Sequence, residues 1–350
     1  MPALKYPVVA VLCCCLAAAP AVPLAGPITA PDTLDTALAP APKLEGVATA
    51  PHAVRPARLR FFAIGDVPYS DAEYGQMAAL MAGAVRAGTP FIIHVGDIKG
   101  GGQPCSDARN SRIAHLFRAQ PVPVLYTPGD NEWTDCHRHS AGSLDPLQRL
   151  TALRKAFFTD PDVLHRGRLH AVVPERHYPE NAYVLRDGVL IALIHVVGSG
   201  NNRRPGDGAA MAELAERSRA NHALLQRAVA AARLREARAL VVVFHANPAL
   251  EQPQPPPGYV PLHQDLRMVL KDFGGPVLVI HGDTHHYRFD QPFLDLASGE
   301  PVPRLWRLEV PGSPLVGGVW VDVDTAAAEP FKVDPVYPSA LDALEALRAP

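Results

Sequence analysis

From Leu59 onward the chain alternates between short, mostly apolar runs and longer stretches in which apolar residues return every three or four positions. The runs are Leu59–Ile64, Phe91–Val95, Val122–Tyr126, Ala239–Phe244, Pro276–Ile280, Leu305–Val310 and Gly318–Val323. Runs this short, with little polar alternation, predict strands buried on both faces, and such strands need helices packed outside them. Helices are predicted over 71–87, 107–119, 146–158, 209–236 and 261–272. In the longest, Leu225, Val229 and Ala232 fall on one face, which is the stripe expected to pack inward. Ala182–Leu185 and Val189–Val197 read as a hairpin turning at Asp187-Gly188. Strands and helices in regular alternation predict an α/β fold. There is no internal repeat and no second zone of composition, so one domain over 58–330 is expected. The tail over 331–350 is expected to hold at most one short helix.

The N-terminal segment breaks this pattern. Ten of the 37 prolines lie in the first 60 residues. A backbone so poor in donors builds neither helix nor central strand, so 22–57 reads as an Ala/Pro-rich linker. Ahead of it, Lys5 gives a positive start, Val8–Ala19 is an apolar run of twelve residues, and Ala19-Pro20-Ala21 is a small-x-small cleavage site. That is the pattern of a secretory signal peptide over 1–21. The run of twelve is too short for a transmembrane span, which takes about 20 residues. An uncleaved anchor is the alternative, and Leu12 before Cys13 fits a lipidation box poorly. The mature chain is therefore expected in the periplasm or outside the cell.

Export changes how the cysteines are read. Cys13, Cys14 and Cys15 would leave with the signal, and the remaining pair, Cys105 and Cys136, matches no zinc spacing. In an oxidising compartment such a pair predicts one disulfide, joining two loops that leave the same sheet edge. The overall composition is ordinary for a globular protein, 48% hydrophobic and 19% charged with net charge −2. It excludes a wholly disordered chain, and the lack of any basic tract argues against nucleic acid as a partner.

Chemistry collects where the strands end. Asp66, Asp97, Asp130, His245, Asp283 and His285 each follow an apolar run, and in open α/β sheets that edge is where ligands bind. A single Asp there is ordinarily a helix cap or turn residue. Six polar groups after five separate strands are too many for capping alone. Carboxylates gathered without cations repel one another. Four carboxylates and two imidazoles suffice for two metal ions with a shared bridging ligand.

The motifs read Gly65-Asp66-Val67-Pro68-Tyr69, Gly96-Asp97, Gly129-Asp130-Asn131-Glu132-Trp133, Phe244-His245-Ala246-Asn247-Pro248 and Gly282-Asp283-Thr284-His285. In this order, over roughly 58–310, they resemble the calcineurin-like metallophosphoesterases, the superfamily that includes the purple acid phosphatases. The resemblance implies a layered β-sandwich core flanked by helices, with ligands on the loops after the strands. Carried over position by position, it implies that Asp66 and His285 hold one metal and Asp97 bridges. Asp130, His245 and Asp283 would hold the second metal. Three ligands depart from the family pattern: Pro68 stands where the family has a His, with Tyr69 adjacent as a substitute; Asp130 replaces an Asn; Asp283 replaces a His. This harder donor set implies two divalent or trivalent ions, Mn, Fe or Mg in preference to Zn. Asn131 replaces the His that assists the reaction, and His286 is the stand-in acid. Asn201 and Asn202 are candidates to orient substrate, and Lys99, Arg203 and Arg204 to contact phosphate.

The resemblance thus implies a secreted or periplasmic hydrolase of phosphate monoesters or diesters. Its substrate would be a small-molecule phosphate ester, attacked by a hydroxide that two metals activate. The alternative is a catalytically silent binding protein on the same fold, which the change at Asn131 favours. Four retained, mutually repelling carboxylates favour the enzyme. A serine hydrolase fits poorly, because no Gly-x-Ser-x-Gly elbow follows a strand and Gly198-Ser199-Gly200 does not match one.

Overall fold

The computed structural model describes residues 56–338, so the expected signal peptide over 1–21 and linker residues 22–55 lie outside the described residues. Two sheets are present. The first is ordered β11 (Phe331–Val336), β10 (Gly318–Asp324), β1 (Arg58–Ile64), β2 (Ile92–His94), β3 (Val124–Tyr126). The second is ordered β4 (Ala182–Arg186), β5 (Val189–Leu193), β6 (Ala239–Val243), β7 (Val277–His281), β9 (Leu305–Glu309), β8 (Arg288–Asp290). The central strands are parallel: β1 to β3 in one sheet, and β5, β6, β7 and β9 in the other. β4, β8, β10 and β11 are antiparallel additions, while β3 is a parallel edge strand.

The apolar runs are explained by alternation. Phe61 and Ala63 face the second sheet, whose Ile191, Val241, Ile280 and Leu308 share one core with them. Phe62 and Ile64 point the other way, onto α1 (Asp71–Arg86), α2 (Asp107–Arg118) and α3 (Pro146–Phe158) through Met77, Ile113, Phe117 and Phe157. Leu190 and Val242 likewise meet α6 (Gly208–Leu234) and α7 (Val260–Asp272) through Leu225, Val229 and Leu266. The result is a helix–sheet–sheet–helix sandwich, with both faces of each central strand apolar. Two short pieces, α4 (Pro161–Leu164) and α5 (Gly198–Asn201), are single turns, and α5 is irregular. Ser70, Ser106, Asp145 and Asp207 cap α1, α2, α3 and α6 with side-chain acceptors. The hairpin turns at Asp187 (φ 49°) and Gly188 (φ 78°), the left-handed pair that a two-residue loop requires.

The expected tail needs correcting. Phe331–Val336 pairs antiparallel with β10, so the folded domain runs past residue 330. Pro335 breaks an otherwise alternating stretch and suits only an edge strand, which is where β11 lies. No helix among the described residues is long and apolar enough to cross a membrane.

Candidate active site

The parallel strands of both sheets end at one edge, and each sheet delivers three of the candidate ligands. Asp66, Asp97 and Asp130 follow β1, β2 and β3; His245 follows β6; Asp283 and His285 follow β7. Asp66, Asp97, Asp283 and His285 have φ of 54°, 55°, 81° and 63°. Non-glycine residues in this left-handed region cost on the order of 1–3 kcal/mol each and cluster at functional sites. The neighbouring glycines give clearance: a Cβ on Gly129 would strike the Asp97 carboxylate, and one on Gly282 would strike Asp66 Oδ2.

Two groups of ligand atoms result. Asp66, Asp97 and His245 offer atoms within 4.8 Å of one another, and so do Asp130, His245 and Asp283. His245 is common to both. Its Nε2 lies 2.9 Å from Asp130 Oδ1, 3.4 Å from Asp97 Oδ1 and 3.8 Å from Asp283 Oδ1. Its Nδ1–H donates to the Val95 carbonyl at 2.8 Å, which turns Nε2 toward the carboxylates. His285 is held the same way, Nδ1–H donating to Ser313 O at 2.6 Å. Its Nε2 is left 3.1 Å from Tyr69 Oη and 3.6 Å from Asp66 Oδ1. Tyr69 Oη donates to Asp97 Oδ2 at 3.0 Å and accepts from Asn131 Nδ2 at 3.2 Å.

The electrostatics are those of crowded anions. Burial drives Asp66 and Asp97 well above the ordinary carboxylate range, and neighbouring carboxylates add to this. Burial, with Asp130 adding, pushes Asp283 up to about 6. Burial would raise Asp130 too, but hydrogen bonds from His245 and Ser199 bring it down to about 2. Burial opposes charge on His245, yet Asp97, Asp130 and Asp66 lift it well above the imidazole range.

The residues fit two hard cations. Asp66 Oδ2 is buried without a hydrogen-bond partner, a state that costs about 1–3 kcal/mol unless something else satisfies it. Four carboxylates supply hard oxygen donors, and two imidazoles present Nε2 with Nδ1 anchored on carbonyls, as metal-bound histidines do.

The other candidates are placed as follows. Asn131 is buried; its N–H donates to Asp97 Oδ1 at 3.0 Å and its side-chain amide donates to Asp97 Oδ2. It orients Asp97 and has no proton to give. His286 is exposed beside His285 and makes no hydrogen bond among the described residues. Asn201 and Asn202 do not face the site. Asn201 donates to Gly258 O and accepts from Val197 N and Arg217, while Asn202 donates to Glu213, so both amides are buried in holding α5. Lys99 is buried with Nζ on Gly100 O, and Arg204 is committed to Thr134 O and His137. Cys105 and Cys136 are bonded with Cα atoms 5.8 Å apart, as the cysteine arithmetic expects.

Sequence reasoning missed several contributors. Ser199, unsuited as a nucleophile, donates to Asp130 Oδ2 at 2.7 Å. Glu132 Oε1 accepts from Ile98 N, Tyr126 Oη and Gly129 N, clamping the loops after β2 and β3 together. The only signal for either was a position shortly after a strand.

A family model described as calcineurin-like phosphoesterase matches residues 59–287. Three solved structures are similar. GAP50, the anchor in the inner membrane complex of Plasmodium, has TM-score 0.46 at 11% identity over 83% of this chain and 94% of its own. A dimetal phosphatase from Danio rerio has TM-score 0.42 at 15% identity over 81% and 100%. A purple acid phosphatase from yellow lupin (Lupinus luteus) seeds has TM-score 0.44 at 11% identity over 83% and 55%. No curated protein matches the chain.

Proposed function

The chain belongs to the calcineurin-like phosphoesterase family, and on that premise we propose that it is a secreted or periplasmic hydrolase of small phosphate esters. Asp66, Asp97, Asp130, His245, Asp283 and His285 would hold two metal ions. The observation that carries this reading is the pair of ligand groups sharing His245, with Asp66 Oδ2 unpartnered beside them. Buried carboxylates in this number stay ionised together only with added positive charge. Bound here, two hard ions supply a water that ionises near neutral pH and positive charge for the phosphoryl oxygens.

The chain's own residues set the geometry. Asn131 and Tyr69 grip Asp97, and Ser199 fixes Asp130. Tyr69 Oη occupies the space between Asp97 and His285 that follows from Pro68 standing in place of a family histidine. Without bound cations, burial and the Asp97 carboxylate hold the Tyr69 phenol well above its usual pKa, and its hydroxyl donates to Asp97. The Cys105–Cys136 bridge supports export, since disulfides persist in oxidising compartments.

Asn131 cannot protonate a departing oxygen, so turnover should depend steeply on the leaving group. Aryl phosphates should be hydrolysed about 10²-fold or more faster than alkyl phosphates, as general-acid contributions suggest. Steady-state rates on a leaving-group series, with chelation abolishing and Mn restoring them, test this. Equal rates across the series would show that a general acid is present after all. Asn131 also favours a second reading, a silent binding protein, which predicts metal uptake with no turnover of any ester.

A further inference from the structure

We propose that Arg138 grips the terminal phosphate of a phosphomonoester at the mouth of this site and biases it toward monoesters; the proposal rests on the hydrolase reading above. Arg138 sits between two 3-10 turns, Thr134–His137 and His139–Ala141. Its N–H donates to Asp135 O, and its carbonyl accepts from Ala141 and Ser143, each at 3.0 Å. Cys136, two residues earlier, is bonded to Cys105. The base of the side chain is therefore firmly placed.

One guanidinium nitrogen is tethered and the others are not. Nη2 lies 2.7 Å from the buried Asp135 Oδ2 and 3.4 Å from Ser199 Oγ. Ser199 in turn donates to Asp130 at 2.7 Å, so two contacts join the guanidinium to a candidate metal ligand. Nη1 and Nε make no hydrogen bond among the described residues, and the side chain is 46% exposed. Nη1 overhangs Gly101, where a Cβ would come within 2.8 Å of Nη1 and 2.7 Å of Asn131 Oδ1. Only a glycine fits at 101, so the guanidinium lies close against Asn131, the residue that orients Asp97.

With Nη2 taken, Nη1 and Nε lie on different edges of the guanidinium, so Nη1 offers one charge-assisted hydrogen bond to a single phosphate oxygen. A monoester has three non-bridging oxygens and up to two negative charges; a diester has two oxygens and one charge. Only the monoester keeps an oxygen and a charge for Arg138 when its other two oxygens are engaged. Lys99 and Arg204, two of the three cations singled out from sequence, are committed elsewhere.

The test uses the full, Mn-loaded chain and its R138M and R138K variants. Three quantities are measured: kcat/KM on p-nitrophenyl phosphate and on bis(p-nitrophenyl) phosphate, calorimetric binding of inorganic phosphate, and metal content. R138M is expected to lose about 10- to 100-fold on the monoester and in phosphate binding, the range of charge-assisted hydrogen bonds. It should lose less than about 3-fold on the diester and keep its metal, with R138K intermediate. Equal losses on both esters, or unchanged phosphate binding, overturn the proposal and leave the hydrolase reading standing. Loss of metal in R138M also overturns it, because Arg138 would then serve site assembly. A wild-type chain that takes no metal and hydrolyses neither ester overturns the hydrolase reading and this proposal with it.

Discussion

Asp66 and Asp130 follow β1 and β3 of the same sheet but differ in what surrounds them. Asp130 is satisfied by His245 and Ser199, whereas Asp66 Oδ2 has no partner. Asp66→Asn should therefore empty a site and cut turnover by roughly 10²- to 10³-fold. Asp130→Asn, which installs the residue the family carries, should be milder; kcat with bound metal measured on the same samples decides the order. His94, which is not itself a candidate ligand, gives a stability test. Its Nε2–H donates to Val67 O and its Nδ1 accepts from Gly96 N–H, both at 3.2 Å, and burial pushes its pKa down to about 3. The unfolded chain binds that proton below about pH 6.5, so the unfolded state holds more protons between there and pH 3. Stability is thus intact above pH 6.5 and falls by up to ~1.4 kcal/mol per pH unit as pH drops. His94→Gln should flatten that slope in urea unfolding of chelated protein, and an unchanged slope would refute the assignment. Of these residues, the candidate ligands that the structure brings together were legible as a cluster because each follows an apolar run. Ser199, Glu132 and Arg138 were not, because their roles depend on how loops fold back. Asn201 and Asn202 follow a strand as the ligands do, but the buried Arg217 and the Gly258 carbonyl draw Asn201 inward, and Glu213 draws Asn202.

The elements were more legible than the loops. Strand residues facing helices on one side and a second sheet on the other are mostly apolar on both faces, a signal that needs no alternation to detect. β8 is only Arg288-Phe289-Asp290 and β11 contains Pro335, so neither carries that signal. The loops are braced instead by specific bonds. Cys105 and Cys136, separated by 31 residues, tie the segment after β2 to the turn that carries Asp135 and Arg138. Replacing both by Ser should cost about 3–4 kcal/mol by loop-closure entropy. It should also weaken activity beyond the stability loss, because Asn131 sits between the cysteines and the Asp97 carboxylate. Thermal unfolding and turnover of the double variant, measured below its transition, check both parts. A variant as stable and as active as wild type would show that the bridge braces nothing.

At the scale of the molecule, the site is a property of two sheets brought face to face. Each contributes three candidate ligands, and His245 from the second sheet stands among Asp97 and Asp130 from the first. Neither half can hold the cluster alone, so metal binding and folding should be linked, with loaded protein melting higher than chelated protein. Asp97 lies at the centre, held by Tyr69 and by Asn131 through both of its oxygens and within reach of His245. The most direct test of the two-metal reading is therefore the metal content and turnover of the purified, Mn-loaded chain beside its Asp97→Asn variant. The wild type should hold about two ions per chain and hydrolyse ester, while the variant keeps about one or fewer and loses activity by orders of magnitude. An Asp97→Asn protein with full metal content and full turnover would contradict the account.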